Sequence, residues 1–255
     1  MKNPDQYGPW ALIAGASEGI GAAFATEVSR RGLNTVLIGR RREPLLDLAA
    51  TLPTQSRIVT ADLATPGGVD VVVREAADLE IGLVVANAAW APIGAFIDVE
   101  ADSLRAAIDL NCTATLRLAR AYLPAMVERR RGGFVIMSSM AGLQGSPGIT
   151  TYAATKAFGA VLAEGLWAEM RPYGVDVLAC APGAVETPGL ARSKSKRAPG
   201  TVAPDVVAAA ALAALGRRPR TVPGGFMKVA AAVTQRVLPR RTAISLIAKA
   251  SGDLS

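Results

Sequence analysis

The sequence predicts an α/β protein of one domain: a doubly wound parallel sheet with helices on both faces. Three observations carry that expectation. Short apolar runs alternate with helical segments along most of the chain, the pattern of strands joined by crossover helices. A glycine-rich turn, Gly15-Ala16-Ser17-Glu18-Gly19-Ile20-Gly21, joins the first apolar run to the first helical segment, the context that a nucleotide-phosphate turn requires. With 255 residues and 51% hydrophobic content, one domain with a substantial core is expected.

The first strand is read over Trp10–Ala14 and the first helix over Gly19–Arg31. Between them the glycines let the backbone turn sharply and approach a pyrophosphate, whose charge sits at the helix N-terminus. The spacing is G-x-x-x-G-x-G. The second strand, Thr35–Ile38, runs into Gly39-Arg40-Arg41-Arg42. A dinucleotide fold that prefers NAD places an acid there for the ribose 2′-hydroxyl. Here three guanidinium groups replace it, and arginine recognises phosphate through a planar fork of donors. The cofactor expected is NADP(H) in preference to NAD(H), with Arg40 first and Arg41 second as 2′-phosphate ligands.

A helix over Glu43–Thr51 follows. Strands are expected at Arg57–Thr60 and Leu83–Asn87, with a helix at Val69–Asp78 between them. A long helix over Asp102–Arg130 leads to a strand at Gly133–Ser138, a second long helix at Thr151–Arg171 and a strand at Asp176–Ala181. A helix at Pro204–Leu215 and a short strand near Thr221–Val222 complete the pattern. The stretch from Gly132 to Thr155 is uncharged, but its Gly, Ser and Pro content excludes a membrane span. It reads as a strand followed by a catalytic loop.

Tyr152 and Lys156 lie four residues apart in a chain with no histidine. Residues at i and i+4 share a helix face. Chemistry at a carbonyl carbon needs a group that gives or takes a proton at the oxygen. A tyrosine serves if a neighbouring cation lowers its pKa from about 10. The spacing alone is common by chance; its setting gives it weight. The missing histidine excludes Ser-His-Asp hydrolysis, and with no metal-ligand spacing zinc catalysis is not expected.

From Trp10 to about Pro188 the chain resembles the short-chain dehydrogenase/reductase family. The motifs stand in family order: Gly15, Gly19 and Gly21; Asp62-Leu63; Asn87-Ala88; Asn111; Ser139; Tyr152 and Lys156; Pro182-Gly183 and Thr187. Departures are Ala14 for the usual Thr, and Ala86 and Ala89 for Asn and Gly. The resemblance implies a Rossmann-like fold and catalysis by Asn111, Ser139, Tyr152 and Lys156. Tyr152 donates the proton, and Ser139 positions the carbonyl oxygen. Lys156 acts electrostatically and holds the cofactor ribose, while Asn111 holds a water linking Lys156 to solvent. Ser17 belongs to the phosphate turn. Asp62 and Leu63 are placed near the adenine and Asn87 near its ribose. Ile20, Pro182, Gly183, the Val185 N–H and Thr187 are placed about the nicotinamide.

The substrate loops are expected to carry Trp90, Ile93, Phe96, Met140, Leu143, Gln144, Ile149 and Leu190, on the strand-end side where ligands bind in such sheets. All but Gln144 are apolar, which suggests a small-molecule hydrophobic ketone or aldehyde, or the matching alcohol, with a long acyl chain or a steroid-like ring among the candidates. Residues 183–200 read as a substrate lid, with two Pro, two Gly and four basic residues between Thr187 and Gly200. Two other readings stay open: a reductase of 3-oxoacyl thioesters, and an NADP(H)-binding regulatory or interaction protein without turnover. A homodimer or homotetramer is expected through the two long helices.

The charge is uneven. Residues 190–255 carry twelve Lys or Arg and two acids, a net +10 against −3 for the rest. The segment 224–255 is read as a basic helical tail that packs on the core, with peripheral contact to an anionic membrane left open. Aromatic residues are only 5% and no recognition module is visible, so nucleic acid is not an expected partner. Cys112 and Cys180 are isolated, and the N-terminus has no apolar secretory core. A cytoplasmic protein is expected.

Overall fold

Runs of apolar residues on both faces of a strand are what a fully covered parallel sheet demands, and the chain delivers them. The structure, a computed structural model, describes residues 4–188, 200–236 and 238–251. Its strands are β1 (Trp10–Ala14), β2 (Asn34–Gly39), β3 (Ser56–Thr60), β4 (Ile81–Ala86), β5 (Gly132–Met137), β6 (Val175–Cys180) and β7 (Arg220–Thr221). They form one seven-stranded sheet in the order β3-β2-β1-β4-β5-β6-β7, and every pairing is parallel. The helices are α1 (Gly19–Arg30), α2 (Arg42–Thr51), α3 (Gly68–Glu75), α4 (Ala101–Ile108), α5 (Ala114–Arg129), α6 (Thr150–Met170), α7 (Pro204–Ala214), α8 (Gly225–Arg236) and α9 (Arg240–Ser251).

Alternation of side chains across each strand builds two cores. Leu12, Val36, Val84, Phe134 and Val177 meet Val72 of α3, Leu118 and Met126 of α5 and Ala163 of α6. Ile13, Leu37, Val85, Val135 and Leu178 meet Phe24 and Val28 of α1, Leu45 of α2 and Val207 and Leu212 of α7. Leu12 is in register with Val36 on one side and Val84 on the other. The chain thus winds outward from β1 in one direction and from β4 in the other. The crevice outside the carboxyl ends of those two strands is the topological switch point, where this architecture binds ligands.

Most elements lie within one or two residues of the sequence expectation, and three differences concern the helices. The helix expected over Asp102–Arg130 is α4 and α5 joined by one π-helical segment, Asp109–Thr113. The helix expected to reach Asp78 ends at Glu75. The second helix begins one residue early, which makes Arg41 its N-cap. The tail forms α8 and α9, which meet around Pro239, a residue that cannot continue a helix without losing a hydrogen bond. No described helix is long and apolar enough to cross a membrane.

Candidate active site

The turn after β1 is anchored before it meets any ligand. The N–H groups of Gly15 and Ala16 both donate to the Ile38 carbonyl at 2.9 Å. Gly15 has φ +73°, and a Cβ there would lie 2.9 Å from Ala88 Cα. A side chain at Gly21 would collide with the Gly15 carbonyl, so α1 can approach the turn only through glycine. Asn87 Nδ2 donates to the carbonyls of Ala14 and Gly15 at 3.2 and 3.1 Å, bracing the turn from β4. No side-chain hydrogen bond caps α1 at Glu18, so the first-turn N–H groups around Ser17 and Ile20 suit an anion. At Gly19 (φ +59°) a Cβ would sit 3.0 Å from Thr187 Cγ2, which brings Thr187 to the turn. Val185 is buried and bridges to Val202. That bridge uses the Ala184 carbonyl and the Glu186 N–H, not the N–H of Val185.

The arginines divide the work. Arg41 Nη2 pairs with Glu18 at 3.2 Å. Arg40 is exposed and has no ion pair or hydrogen bond among the described residues. Asp62 caps its own turn by accepting from the Ala64 N–H at 3.0 Å, and Leu63 is buried behind it.

The catalytic candidates converge from three elements. Lys156 on α6 is 5% exposed. Its Nζ donates to the Met137 carbonyl at the end of β5 at 2.8 Å and lies 5.4 Å from the centre of the Tyr152 ring. Burial pulls the Lys156 pKa down to about 8, with the neighbouring Cys112 thiol acting weakly in the opposite direction. Burial pushes the pKa of the Tyr152 phenol up, and the neighbouring Ser139 hydroxyl pulls the other way. Lys156 was expected to lower the Tyr152 pKa; the net direction here is upward, because burial of the phenol outweighs what Ser139 contributes in the other direction. Ser139 Oγ also accepts from the Ala141 N–H at 3.2 Å, starting the turn Met140–Leu143. Asn111 lies in the π-helical segment, 5% exposed. Its Oδ1 accepts from the Trp90 N–H at 2.8 Å, and its Nδ2 donates to the Trp90 carbonyl and to Thr155 Oγ1, each at 2.9 Å. A phenol, a hydroxyl beside it and a buried lysine therefore stand at the strand ends, next to a glycine turn whose geometry suits an anion.

The family model for the short chain dehydrogenases matches residues 9–198, a span that contains every one of these groups. The chain belongs to the short-chain dehydrogenase family. Among curated proteins it is 32% identical to a 7beta-hydroxysteroid dehydrogenase of Collinsella aerofaciens over 194 residues, 74% of each chain. Among solved structures, one determined in work on 7beta-hydroxysteroid dehydrogenase stereoselectivity matches at TM-score 0.90 and 28% identity, covering 97% of this chain and 99% of the other. A short-chain dehydrogenase from Sphingobium yanoikuyae in complex with NADPH matches at TM-score 0.77 and 35% identity, covering 84% and 87%.

In this short-chain dehydrogenase the expected substrate residues separate into two groups. Trp90, Ile93 and Phe96 are exposed on the loop after β4, where Trp90 Nε1 donates to Ser103 Oγ at 3.0 Å. Met140 and Ile149 are half-buried, and Leu143 and Gln144 are buried. Gln144 points its Nε2 at the Met140 carbonyl, 3.4 Å away, so its amide is engaged within its own loop. The Gly94 N–H donates to the Gly148 carbonyl at 2.8 Å, tying the two loops together. Leu190 and most of the expected lid lie outside the described residues.

Two positioning residues of this short-chain dehydrogenase are absent from the sequence expectation. Thr155 Oγ1 accepts from Asn111 and donates to the Tyr152 carbonyl at 2.8 Å. Ser138 Oγ donates to the Lys156 carbonyl at 2.7 Å, fastening α6 to β5. A Ser or Thr beside a catalytic residue is too common in sequence to stand out. Only a buried polar atom with a distant partner marks it.

Proposed function

We propose that this short-chain dehydrogenase is an NADPH-dependent, reversible reductase of hydrophobic ketones or aldehydes. The observation that carries the reading is the Tyr152 phenol, with the Ser139 hydroxyl beside it and the buried Lys156 ammonium 5.4 Å from its ring centre. The names of the similar proteins, hydroxysteroid dehydrogenases among them, support a bulky apolar substrate.

The residues fit a dinucleotide. Gly15, Gly19 and Gly21 let the turn close against Ala88, Thr187 and the start of α1, so that the first-turn N–H groups of α1 would hold a pyrophosphate. Asp62, Leu63 and Asn87 line the adenosine side, and Ile20, Pro182, Gly183, Val185 and Thr187 the nicotinamide side. The unpaired Arg40 at the entrance to α2 suits a 2′-phosphate, with Arg41 a weaker second because Glu18 already engages it. When bound, the nicotinamide supplies or accepts the hydride at the carbonyl carbon. Ser139 holds the carbonyl oxygen toward Tyr152, which delivers the proton. Its raised pKa keeps the phenol protonated at neutral pH. Lys156 presents positive charge where the oxygen becomes negative, and Asn111 and Thr155 hold the loops in place. Such positioned acid catalysis is worth about 10²–10⁴ in rate.

The remaining features of this reading are a lid over 183–200, a basic tail over 224–255 and a homodimer or homotetramer. Exposed Ile108, Leu116 and Val161 on α4, α5 and α6 support association through those helices. The free thiols Cys112 and Cys180 suit a reducing cytoplasmic setting. On the tail, exposed Phe226 and Val229 stand beside Lys228, which keeps membrane contact within the reading. NADPH oxidation against a panel of apolar ketones tests the whole. No consumption with any member, despite NADPH binding, would favour the non-turnover alternative.

A further inference from the structure

Two short segments frame the reacting centre of the proposed site: the turn Met140–Leu143 after Ser139, and Pro182-Gly183 after β6. The Met140 N–H ties them together, donating to the Pro182 carbonyl at 2.9 Å. The C-terminal helices also touch both. Met227 of α8 lies against Gly183, where a Cβ would come 2.8 Å from the Met227 sulfur. Arg240, the first residue of α9, donates from Nη1 to the Leu143 carbonyl at 2.9 Å. One turn further on, Ile244 sits where a methyl on Gly145 would meet it at 3.9 Å.

The turn is thin. Gly142 lies so close to α6 that a Cβ would come 2.7 Å from the Lys156 carbonyl carbon. The neighbouring carbonyls are satisfied locally: Ser139 by the Gly142 N–H, Met140 by Gln144 and Ala141 by Ser146. The Leu143 carbonyl instead takes its donor from a residue 97 positions away. The Ser139 turn is therefore held between the catalytic helix on one side and a tail arginine on the other.

The geometry points to Arg240 as a positioning residue for the Ser139 turn, and to the helix pair α8–α9 that it docks as the wall against which a bulky ketone is seated. This rests on the carbonyl-reductase reading above. Exposure supports it: Leu143 and Gln144, beside the tail, are buried, whereas Trp90, Ile93 and Phe96 are open. An apolar substrate enters past the open loop and stops against the covered side. A small ketone needs only Ser139 and Tyr152. A large one also needs turn and wall in fixed register.

The test compares the wild-type chain with Arg240→Gln, Arg240→Lys and Met227→Ala, using NADPH with cyclohexanone and with a steroid ketone. Arg240→Gln is expected to lower kcat/KM for the steroid ketone about tenfold, mainly through KM, and to lower that for cyclohexanone several-fold less, since both ketones use Ser139 but only the large one leans on the wall and the bond lost has a charged donor. NADPH Kd stays unchanged, and amide exchange across Met140–Gln144 speeds up. Leu143 uses a single N–H, which an ammonium also supplies, so Arg240→Lys recovers most of the loss. A steroid-to-cyclohexanone ratio unchanged in Arg240→Gln overturns the inference. If Arg240→Gln does not fold, Met227→Ala decides by the same ratio. A wild type that reduces neither ketone defeats the proposed function instead, and unchanged amide exchange would then remove the clamp as well.

Discussion

Asn111 Nδ2 donates to Thr155 Oγ1 at 2.9 Å, joining the π-helical segment to the catalytic helix. The same threonine hydroxyl donates to the Tyr152 carbonyl, and the other bonds of Asn111 hold the backbone of Trp90. One buried amide thus sets the spacing between the loop after β4 and the turn of α6 that carries Tyr152 and Lys156. An added residue in a helix re-aims the side chains beside it, and π-segments recur at functional sites for that reason.

Thr155→Val keeps the volume and removes both bonds. Asn111 Nδ2 would keep only the Trp90 carbonyl, at a cost of about 1–3 kcal/mol in stability. Urea unfolding should read that loss, and kcat should fall with it as Tyr152 loses its fixed position. Thr155→Ser, which restores the hydroxyl, should recover both. A Thr155→Val enzyme with wild-type stability and kcat would remove the relay from the account.

In the proposed reading Arg40 sets the choice of cofactor. Arg40→Ser should weaken NADPH binding by about 1.5–3 kcal/mol and leave NADH nearly unchanged, because only NADPH carries the extra phosphate. Arg41→Ser should cost less, since Glu18 shares its guanidinium. Fluorescence titration with both cofactors checks this. Equal affinities for NADPH and NADH in the wild type would contradict it.

The pH dependence follows from Lys156. Burial disfavours its charged form, so the ammonium loses its proton as the pH rises through about 8, earlier than a free lysine does. Burial pushes Tyr152 the other way and keeps its phenol protonated over the same range. Ketone reduction should therefore decline on the alkaline side with an inflection near pH 8, through loss of the Lys156 charge and not of the Tyr152 proton. A kcat profile that stays flat well above that inflection would sink this assignment.

Much of the fold was legible because β1, β2, β4, β5 and β6 are buried on both faces, so their sequences are apolar runs ending in turns. Six strands, from Trp10–Ala14 to Val175–Cys180, lie within two residues of the expected limits. The π-helical segment at Asp109–Thr113 left no trace in the helical pattern, because one extra residue in a long helix barely shifts its period. The glycine turn showed in sequence because Gly15, Gly19 and Gly21 meet steric limits that no other residue satisfies. Thr155, Ser138 and Arg240 did not, because their roles depend on partners distant in the chain. The upward direction of the Tyr152 pKa was likewise hidden, since spacing places Lys156 beside the tyrosine but does not show that burial of the phenol decides the shift.

The central claim is that Tyr152 delivers the proton in NADPH-dependent reduction of an apolar ketone. The most direct measurement is single-turnover oxidation of bound NADPH by a steroid ketone, in the wild type and in Tyr152→Phe, with NADPH Kd measured on the same samples. The account predicts rapid oxidation by the wild type, a loss of about 10²-fold or more in the phenylalanine variant, and nearly equal NADPH affinities. A Tyr152→Phe enzyme that binds NADPH and keeps most of the wild-type rate would contradict it.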